Sequence, residues 1–314
     1  MKIPNLFVVI PCYFDSENVE MLFKLFNSDE RVNSWNSVNI LIVDNSSGQD
    51  ASARVLNREL SNRIKMSVVK TMFQSGHQHA ILSGLHNVEE FGKSGDIVIT
   101  MDGDGEDLPS DALTMAEDIR LEGGIAIAHR AGRKSSFMFK AGLSVYKLVY
   151  TTLTGVRFNS GNFAAFDYDV LKQIVHNPIF KLSYSGAIVT FPSVRKFHFA
   201  RGARFMGESK MRIDSLIVHG LLSLIPQANK ICSRMFMLFV LTLTASITFG
   251  VYGLYLKLFT QVATPVWTTT LLFGLSTVSG LAFVSFLVSL TLLSSIALSR
   301  ANQTEDTKSL FPES

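Results

Sequence analysis

The sequence predicts an α/β fold with a mostly parallel sheet, helices on both of its faces, and two membrane-spanning helices towards its C-terminal end. Short apolar runs alternate five times with stretches of helical spacing before residue 130, a pattern typical of parallel sheets covered by helices. Polar clusters follow three of these apolar runs directly. Beyond residue 234 the chain carries uncharged apolar stretches that are long enough to cross a bilayer.

The predicted elements follow one another in a regular order. Strands are predicted where short apolar runs end at turn-forming residues, and helices where apolar residues recur every three or four positions. The predicted strands are Leu6–Ile10, Val38–Val43, Met66–Val69, Asp96–Met101 and Gly124–Ala128, and the predicted helices are Val19–Phe26, Ala51–Leu60, Gln78–Val88 and Ser110–Leu121. Ligands bind at the carboxyl edge of such sheets. We therefore expect the polar clusters Tyr13–Glu17, Asp44–Ser47 and Asp102–Asp107 to meet there.

Composition excludes several classes of protein. The 314 residues suit one α/β domain of about 200 residues plus further elements. A net charge of +3 without a clustered basic face argues against a nucleic-acid partner. Cys12 and Cys232 are the only cysteines, so a disulfide framework is not expected and a reducing compartment fits. The first residues lead into a strand without a signal-peptide pattern.

The region after residue 130 predicts a membrane-associated part. Phe137–Leu153 and Met211–Leu224 mix apolar and basic residues and are either helices at a membrane surface or core-facing helices. Met235–Leu256 and about Leu271–Leu293 are predicted spans. Cations flank the two spans on their outer sides, which places both termini in the cytoplasm. The predicted organisation is a cytoplasmic catalytic domain (1–210), an interfacial linker (211–230), a two-helix membrane region (231–299) and a cytoplasmic tail (300–314).

The sharpest signal for chemistry is the acidic loop, which we define as residues 102–107 (Asp-Gly-Asp-Gly-Glu-Asp). Several carboxylates in one loop after a strand suit a hard divalent cation such as Mg²⁺ or Mn²⁺. A calcium loop of the EF-hand kind is disfavoured, because its sixth position requires glycine and this chain carries Asp107. The remaining alternative is a solvated acidic turn.

Three further groups are candidates for ligand binding. Asp44 ends a strand and either accepts hydrogen bonds from a base or ribose or caps a turn. His77 and His79 are more consistent with polar contacts at a helix start than with a metal site. The third group consists of cations that suit phosphate oxygens or an anionic membrane face, namely Arg130, Arg133, Lys140, Arg201, Arg204 and Lys210. Neither a dinucleotide fingerprint nor a P-loop occurs.

Taken together, these segments resemble the family-2 glycosyltransferases, and among them the polyprenyl-phosphate glycosyltransferases. The resemblance rests on VVIPCYFDSENV, VDNSS, FQSGHQHAILSGL, MDGDGEDLP and RGARFMGESK, in this order and ahead of two predicted spans. It covers nearly the whole chain and implies a GT-A fold. The chain departs from the family pattern at Phe14, Asn45 and Asn159.

The resemblance also implies roles for individual residues. The nucleotide would be bound by Pro11, Tyr13, Asp15, Asp44, Gln78 and Asp102. The metal would be held by Asp102, Asp104 and Glu106, with Asp102, Asp104 and Arg204 as the catalytic group. The acceptor phosphate would be bound by Arg130, Arg133, Lys140 and Ser144, and a loop over the donor phosphates would carry Arg201, Arg204, Ser209 and Lys210.

The implied activity is an inverting, metal-dependent transfer of a hexose-type sugar from a nucleotide sugar, with UDP favoured, to polyprenyl phosphate at the cytoplasmic face of the membrane. Two alternatives stay open: transfer to a hydroxyl of another glycolipid, and a non-catalytic membrane-anchored protein that binds nucleotide sugar. A processive polysaccharide synthase is disfavoured, because no Gln-x-x-Arg-Trp motif follows the acidic loop. A homo-oligomer is left open.

Overall fold

The computed structural model describes residues 3–46, 49, 58–59, 63–71, 76–131, 137–156, 162–206, 213–260 and 266–310. The chain divides into two compact units. The first unit is Met1–Lys140 with Asn159–Pro226, and the second unit is Ala141–Phe158 with Gln227–Ser314.

A mixed, mostly parallel sheet forms the centre of the first unit. Its strands are β1 (Leu6–Cys12), β2 (Val38–Asp44), β3 (Arg58–Glu59), β4 (Ile64–Lys70), β5 (Ile97–Thr100), β6 (Ile125–Ala131), β7 (Ala164–Asp167) and β8 (Arg195–Ala200). Their order across the sheet is β3-β4-β2-β1-β5-β7-β6-β8. Pairs β4–β2, β2–β1, β1–β5 and β6–β8 are parallel, whereas β3 and β7 run antiparallel to their neighbours.

Helices connect the strands and cover the sheet. They are α1 (Ser16–Ser28), α2 (His77–Phe91), α3 (Pro109–Glu122), α4 (Phe137–Thr154), α5 (Tyr168–Val175), α6 (Ile179–Leu182), α7 (Tyr184–Ile188), α8 (Ile213–Leu222), α9 (Ala228–Phe259) and α10 (Val266–Leu310). The apolar faces of α1 and α3 share one core cluster with β1, β2 and β5, in which Leu22, Phe26 and Leu113 are fully buried. Pro109 begins α3 at a position that needs no backbone donor.

The register of the parallel strands brings three loops to one edge of the sheet. Cys12 of β1 pairs with Asp44 of β2, and Val9 pairs with Thr100 of β5. Because the three strands are parallel neighbours, the residues after Cys12, Asp44 and Thr100 follow the same carboxyl edge. The strand order thus positions all three polar clusters around β1.

The predicted fold class is confirmed, with differences in detail. The predicted helix Ala51–Leu60 is wrong at Arg58 and Glu59, which form a short strand antiparallel to β4; the rest of that helix lies outside the described residues. The sequence did not predict β7 or β8. Both belong to the second half of the sheet, and β7 inserts between β5 and β6.

The second unit contains a pair of long apolar helices. Phe236 of α9 packs against Phe286 of α10 with ring centroids 5.2 Å apart, and Phe239 packs against Phe283 at 5.0 Å. Residue numbers rise on one helix as they fall on the other, so the helices are antiparallel. Candidate membrane spans lie within Ile217–Phe259 and Thr269–Ser295. These stretches include both predicted spans.

Candidate active site

The acidic loop folds so that glycines and carboxylates alternate in exposure. Gly103, Gly105 and Asp107 are buried, whereas Asp102, Asp104 and Glu106 are partly accessible. A Cβ on Gly103 would lie 3.0 Å from the Ile10 side chain, and Gly105 adopts a φ of +91°, a conformation that favours glycine. The two glycines therefore let the loop lie flat against β1 and α1 with three carboxylates on its open side.

Asp107 fixes the base of the loop. Its side chain is completely buried, and one carboxylate oxygen accepts a hydrogen bond from the backbone N–H of Asp102 at 2.8 Å. The other oxygen lies 2.7 Å from a guanidinium nitrogen of Arg130, a side chain on β6 that is only 10% exposed. Arg130 also lies 3.6 Å from Asp102. One buried aspartate thus positions both the first carboxylate of the loop and a neighbouring arginine.

Replacing Asp107 by asparagine is expected to destabilise the first unit by about 3–5 kcal/mol, because the buried Arg130 loses its nearest carboxylate and keeps only that of Asp102, at 3.6 Å. Thermal unfolding of the full-length chain in detergent measures the loss. The double variant Asp107→Asn, Arg130→Gln removes both charges and should recover part of it. If Asp107→Asn alone is as stable as wild type, the assignment of a buried ion pair is contradicted.

His77 and Asn162 complete the contacts of Asp102. The imidazole Nε2 of His77, at the start of α2, lies 3.1 Å from a carboxylate oxygen of Asp102 and 3.1 Å from the Asn162 side-chain amide. Although burial acts to raise it, the pKa of Asp102 is held below its usual range by the hydrogen bond and charge of His77 and by the Arg130 charge. Burial lowers the pKa of His77, but the contact with Asp102 outweighs it and the pKa is raised. Asp102 is therefore an ionised carboxylate oriented by neighbouring side chains.

The arginine segment, which we define as residues 201–206, lies along the acidic loop. Arg204 forms an ion pair with Asp104, and Arg201 forms one with Glu106. The backbone N–H of Gly202 donates to the carbonyl oxygen of Glu106 at 3.0 Å, and that of Phe205 donates to the carbonyl oxygen of Asp104 at 3.1 Å. Burial raises the pKa of Asp104, and the neighbouring charge of Asp102 raises it further. The loop thus concentrates negative charge that cationic groups stabilise.

The three carboxylates predicted to hold a metal have suitable chemistry, since hard oxygen donors bind Mg²⁺ and Mn²⁺. Their crowding also favours a cation. However, no group of three acidic, histidine or cysteine side chains is arranged as a ligand set within the described part of the chain. Asp104 and Glu106 instead contact the two arginines. The residues fit a cation by type and charge, and its binding requires that these carboxylates leave their arginine partners. The metal ligands remain a prediction.

Asp44 presents an unusual carboxylate at the end of β2. The side chain is fully buried, and one oxygen accepts hydrogen bonds from the Ser46 backbone N–H at 2.8 Å and the Ser46 hydroxyl at 2.5 Å. The second oxygen is buried and has no hydrogen-bond partner among the described residues. Such an acceptor is costly in the free protein. It suits an N–H or O–H donor from a ligand.

The other residues predicted to bind the nucleotide lie on β1, in the loop that follows β1, and on α2. Pro11 is buried within β1 opposite Val43, and the partly exposed Tyr13 and Asp15 lie between β1 and α1. Gln78 is buried; its amide donates to the Asn162 side chain at 3.1 Å and accepts from the backbone N–H of Ser185 at 3.0 Å. Its predicted contact with a nucleotide would compete with these two hydrogen bonds.

The predicted acceptor and loop residues are described only in part. Arg130 lies in the first unit beside the acidic loop, and Ser144 is exposed on α4 within the second unit. Arg133, Ser209 and Lys210, as well as the side chain of Lys140, lie outside the described residues. The predictions for these six residues are not tested by the structure.

The sequence did not assign roles to Asp107 or Asn162, and it treated His77 as a helix-start contact. Asp107 stands in the acidic loop itself, so its position was a usable signal. Asn162 contacts His77 and Gln78 from a distant part of the chain, and no local pattern marks it.

The mostly parallel sheet, with an acidic loop and arginines at its carboxyl edge, defines a GT-A-like transferase fold. The chain belongs to glycosyl transferase family 2, whose model matches residues 7–175, more than half of the sequence. It is therefore a glycosyltransferase by family, as the sequence predicted.

Comparisons with individual proteins are more distant. The chain is 26% identical over 217 residues to a dolichol-phosphate mannosyltransferase from Pyrococcus furiosus, a match that covers 65% of this chain and 58% of that protein. It is 25% identical over 228 residues to the uncharacterized glycosyltransferase YkoT from Bacillus subtilis, covering 68% of this chain and 65% of the relative. The chain thus spans about three fifths of the length of these curated relatives. A solved mannosyl-3-phosphoglycerate synthase from Rubrobacter xylanophilus is 13% identical, with a TM-score of 0.48 and coverage of 73% and 74% of the two chains.

Proposed function

We propose that this chain transfers a hexose-type sugar from a nucleotide sugar, UDP being the proposed nucleotide, to a polyprenyl phosphate at the cytoplasmic face of the inner membrane. The observation that carries the proposal is the acidic loop with its arginines at the carboxyl edge of a family-2 glycosyltransferase sheet. A relative that acts on dolichol phosphate supports the class of acceptor.

The leaving group is a nucleoside diphosphate, which takes the electron pair of the bond to the anomeric carbon. Arg201 and Arg204 are proposed to bind this diphosphate, because they contact the loop carboxylates Glu106 and Asp104 and guanidinium groups match phosphate oxygens. A divalent cation on Asp102 and Asp104 would supply further positive charge to the departing oxygens. Stabilising charge that develops on the leaving group is commonly the largest catalytic contribution.

The carboxylates of the loop favour an acceptor that is already ionised. Asp102, Asp104, Glu106 and Asp107 are each paired with an arginine or a histidine. None of the four is thus available as a free general base in this arrangement. A phosphate oxygen attacks without giving up a proton, whereas a hydroxyl acceptor needs a base near the reacting oxygen. Arg130, next to Asp102, and the exposed Ser144 are the described members of the set proposed to bind the acceptor phosphate.

The second unit is proposed to anchor the chain in the membrane. Leu241 and Leu281 are 67% and 64% exposed on α9 and α10, and exposed apolar surface of this extent is stable only in contact with lipid or protein. Lys230 and Arg234 precede the first span, and Arg300 and Lys308 follow the second. The positive-inside rule then places both ends of this helix pair in the cytoplasm.

Two helices are proposed to lie at the membrane surface. On α8 of the first unit, Ile217, Val218 and Leu221 are more than half exposed and share one helix face. On the part of α4 that belongs to the second unit, Val145 and Leu148 are more than half exposed and Val149 is 47% exposed. Exposed apolar faces of this kind favour interfacial helices over core-facing ones.

Purified full-length protein, incubated with Mn²⁺, radiolabelled UDP-hexoses and undecaprenyl phosphate in detergent, is expected to form a labelled lipid that mild acid hydrolyses. GDP-hexoses in parallel reactions test the nucleotide. A labelled product that resists mild acid, formed with a glycolipid instead of the phosphate, would indicate a hydroxyl acceptor. Binding of UDP-sugar without any product across these acceptors would indicate a non-catalytic binding protein.

A further inference from the structure

The acidic loop and the arginine segment are in contact along their backbones. A Cβ on Gly202 would lie 2.4 Å from the carbonyl oxygen of Gly105, and a Cβ on Gly105 would lie 2.6 Å from the Phe205 ring. The carbonyl oxygen of Met206 accepts a hydrogen bond from the buried Asn18 side chain at 3.2 Å. The two glycines thus permit a close approach that places Arg201 and Arg204 on the carboxylates of the loop.

This cluster contains equal numbers of acidic and basic side chains in mutual contact. Four acidic side chains contact four basic ones. The acidic residues are Asp102, Asp104, Glu106 and Asp107, and the basic residues are His77, Arg130, Arg201 and Arg204. Among the three arginines, Arg201 and Arg204 are the more accessible, with 22% of each side chain exposed against 10% for Arg130. Arg201 and Arg204 are therefore the arginines whose carboxylate contacts can be exchanged at least cost.

Either ligand of the proposed site would disturb this balance if it bound alone. A divalent cation alone would displace Arg201 and Arg204 and leave them beside added positive charge. A diphosphate alone would draw the arginines away and leave Asp104 and Glu106 unpaired beside added negative charge, which is unfavourable for partly buried groups. If both ligands bind, Asp104 and Glu106 contact the cation in place of the arginines. Arg201 and Arg204 then contact phosphate oxygens in place of the carboxylates.

We propose that Arg201 and Arg204 are exchangeable counter-ions that couple the binding of a divalent cation to the binding of a nucleoside diphosphate. The inference rests on the proposed function and adds a mechanism to the same site. By linkage, each ligand strengthens the other by the same factor. A free cation is bound weakly because its ligands are occupied, so the site admits the cation together with the donor.

The test measures Mn²⁺ and UDP binding to full-length protein in detergent by calorimetry. In wild type, saturating UDP is expected to tighten Mn²⁺ binding at least about tenfold, within the usual range of coupling between sites. Arg204→Gln is expected to bind Mn²⁺ alone more tightly than wild type, by about five- to tenfold, and to bind UDP in the presence of Mn²⁺ more weakly. In this variant, the factor by which UDP tightens Mn²⁺ binding should fall towards one. Arg204→Lys should retain part of the coupling.

Arg31→Gln is the matched control, because Arg31 pairs with Asp29 at 2.7 Å on a surface turn of the same unit, and it should bind both ligands as wild type does. The inference is overturned if wild type binds Mn²⁺ and UDP without coupling, or if Arg204→Gln binds Mn²⁺ alone no more tightly and keeps full coupling. If wild type binds neither ligand in any combination, the proposed function fails and this inference fails with it.

Discussion

Replacing Asp104 by asparagine is expected to lower the turnover of sugar transfer by about 10²–10³-fold, the cost of removing one preorganised electrostatic group from an active site. Asp104 is the loop carboxylate that contacts Arg204, and the nearby Asp102 charge acts on it. Asparagine keeps the shape of the side chain and can still accept the 3.0 Å hydrogen bond from the Glu106 backbone N–H. The change therefore removes negative charge with little disturbance of the loop.

Turnover is measured with labelled donor and polyprenyl phosphate, and thermal unfolding in parallel shows whether the variant is folded. Asp169→Asn is the control, because Asp169 is an exposed aspartate on α5 that pairs with Lys172 on the same helix, and its turnover should equal that of wild type. Turnover of Asp104→Asn within a few-fold of wild type would exclude the assignment of Asp104 to the cation and diphosphate.

The parallel half of the sheet could be predicted because its signals are local. The buried strands β1, β2 and β5 are mostly apolar runs, and each ends where polar residues begin. Strand β7 was missed because its four residues, Ala-Ala-Phe-Asp, have little β-branched character. It forms because pairing with β5 and β6 buries it on both sides, which is tertiary context rather than propensity.

The candidate site could be predicted as a location but not as a network of contacts. Asp102, Asp104 and Glu106 were identifiable from one loop. The pairing of Glu106 with Arg201 joins residues 95 positions apart, and that of Asp104 with Arg204 joins residues 100 apart. No periodicity in the sequence encodes such pairings, since they depend on β8 lying beside β6. The sequence shows which charged residues are present, whereas the order of the strands in the sheet determines which of them form ion pairs.

Replacing Asp44 by asparagine is expected to weaken UDP binding by about 10–100-fold, which corresponds to one hydrogen bond to a charged acceptor. Asparagine still provides the oxygen that accepts from Ser46, so the turn after β2 is preserved. It replaces the buried oxygen that has no partner among the described residues by an NH₂ group, which cannot accept from a nucleotide. The free energy of unfolding should not fall, because one oxygen of the native carboxylate accepts no hydrogen bond from the described residues.

Asp96 offers a control with the opposite expectation. It is a buried aspartate just before β5, at the other edge of the same sheet, and it accepts hydrogen bonds from the backbone N–H groups of Asn5 at 2.9 Å and Lys93 at 3.0 Å. Asp96→Asn should lower the free energy of unfolding by about 1–3 kcal/mol and leave UDP affinity unchanged. If Asp44→Asn instead loses stability and binds UDP as wild type does, Asp44 is a turn cap and the nucleotide is bound elsewhere. The two variants together distinguish a carboxylate that binds a ligand from one that stabilises the fold.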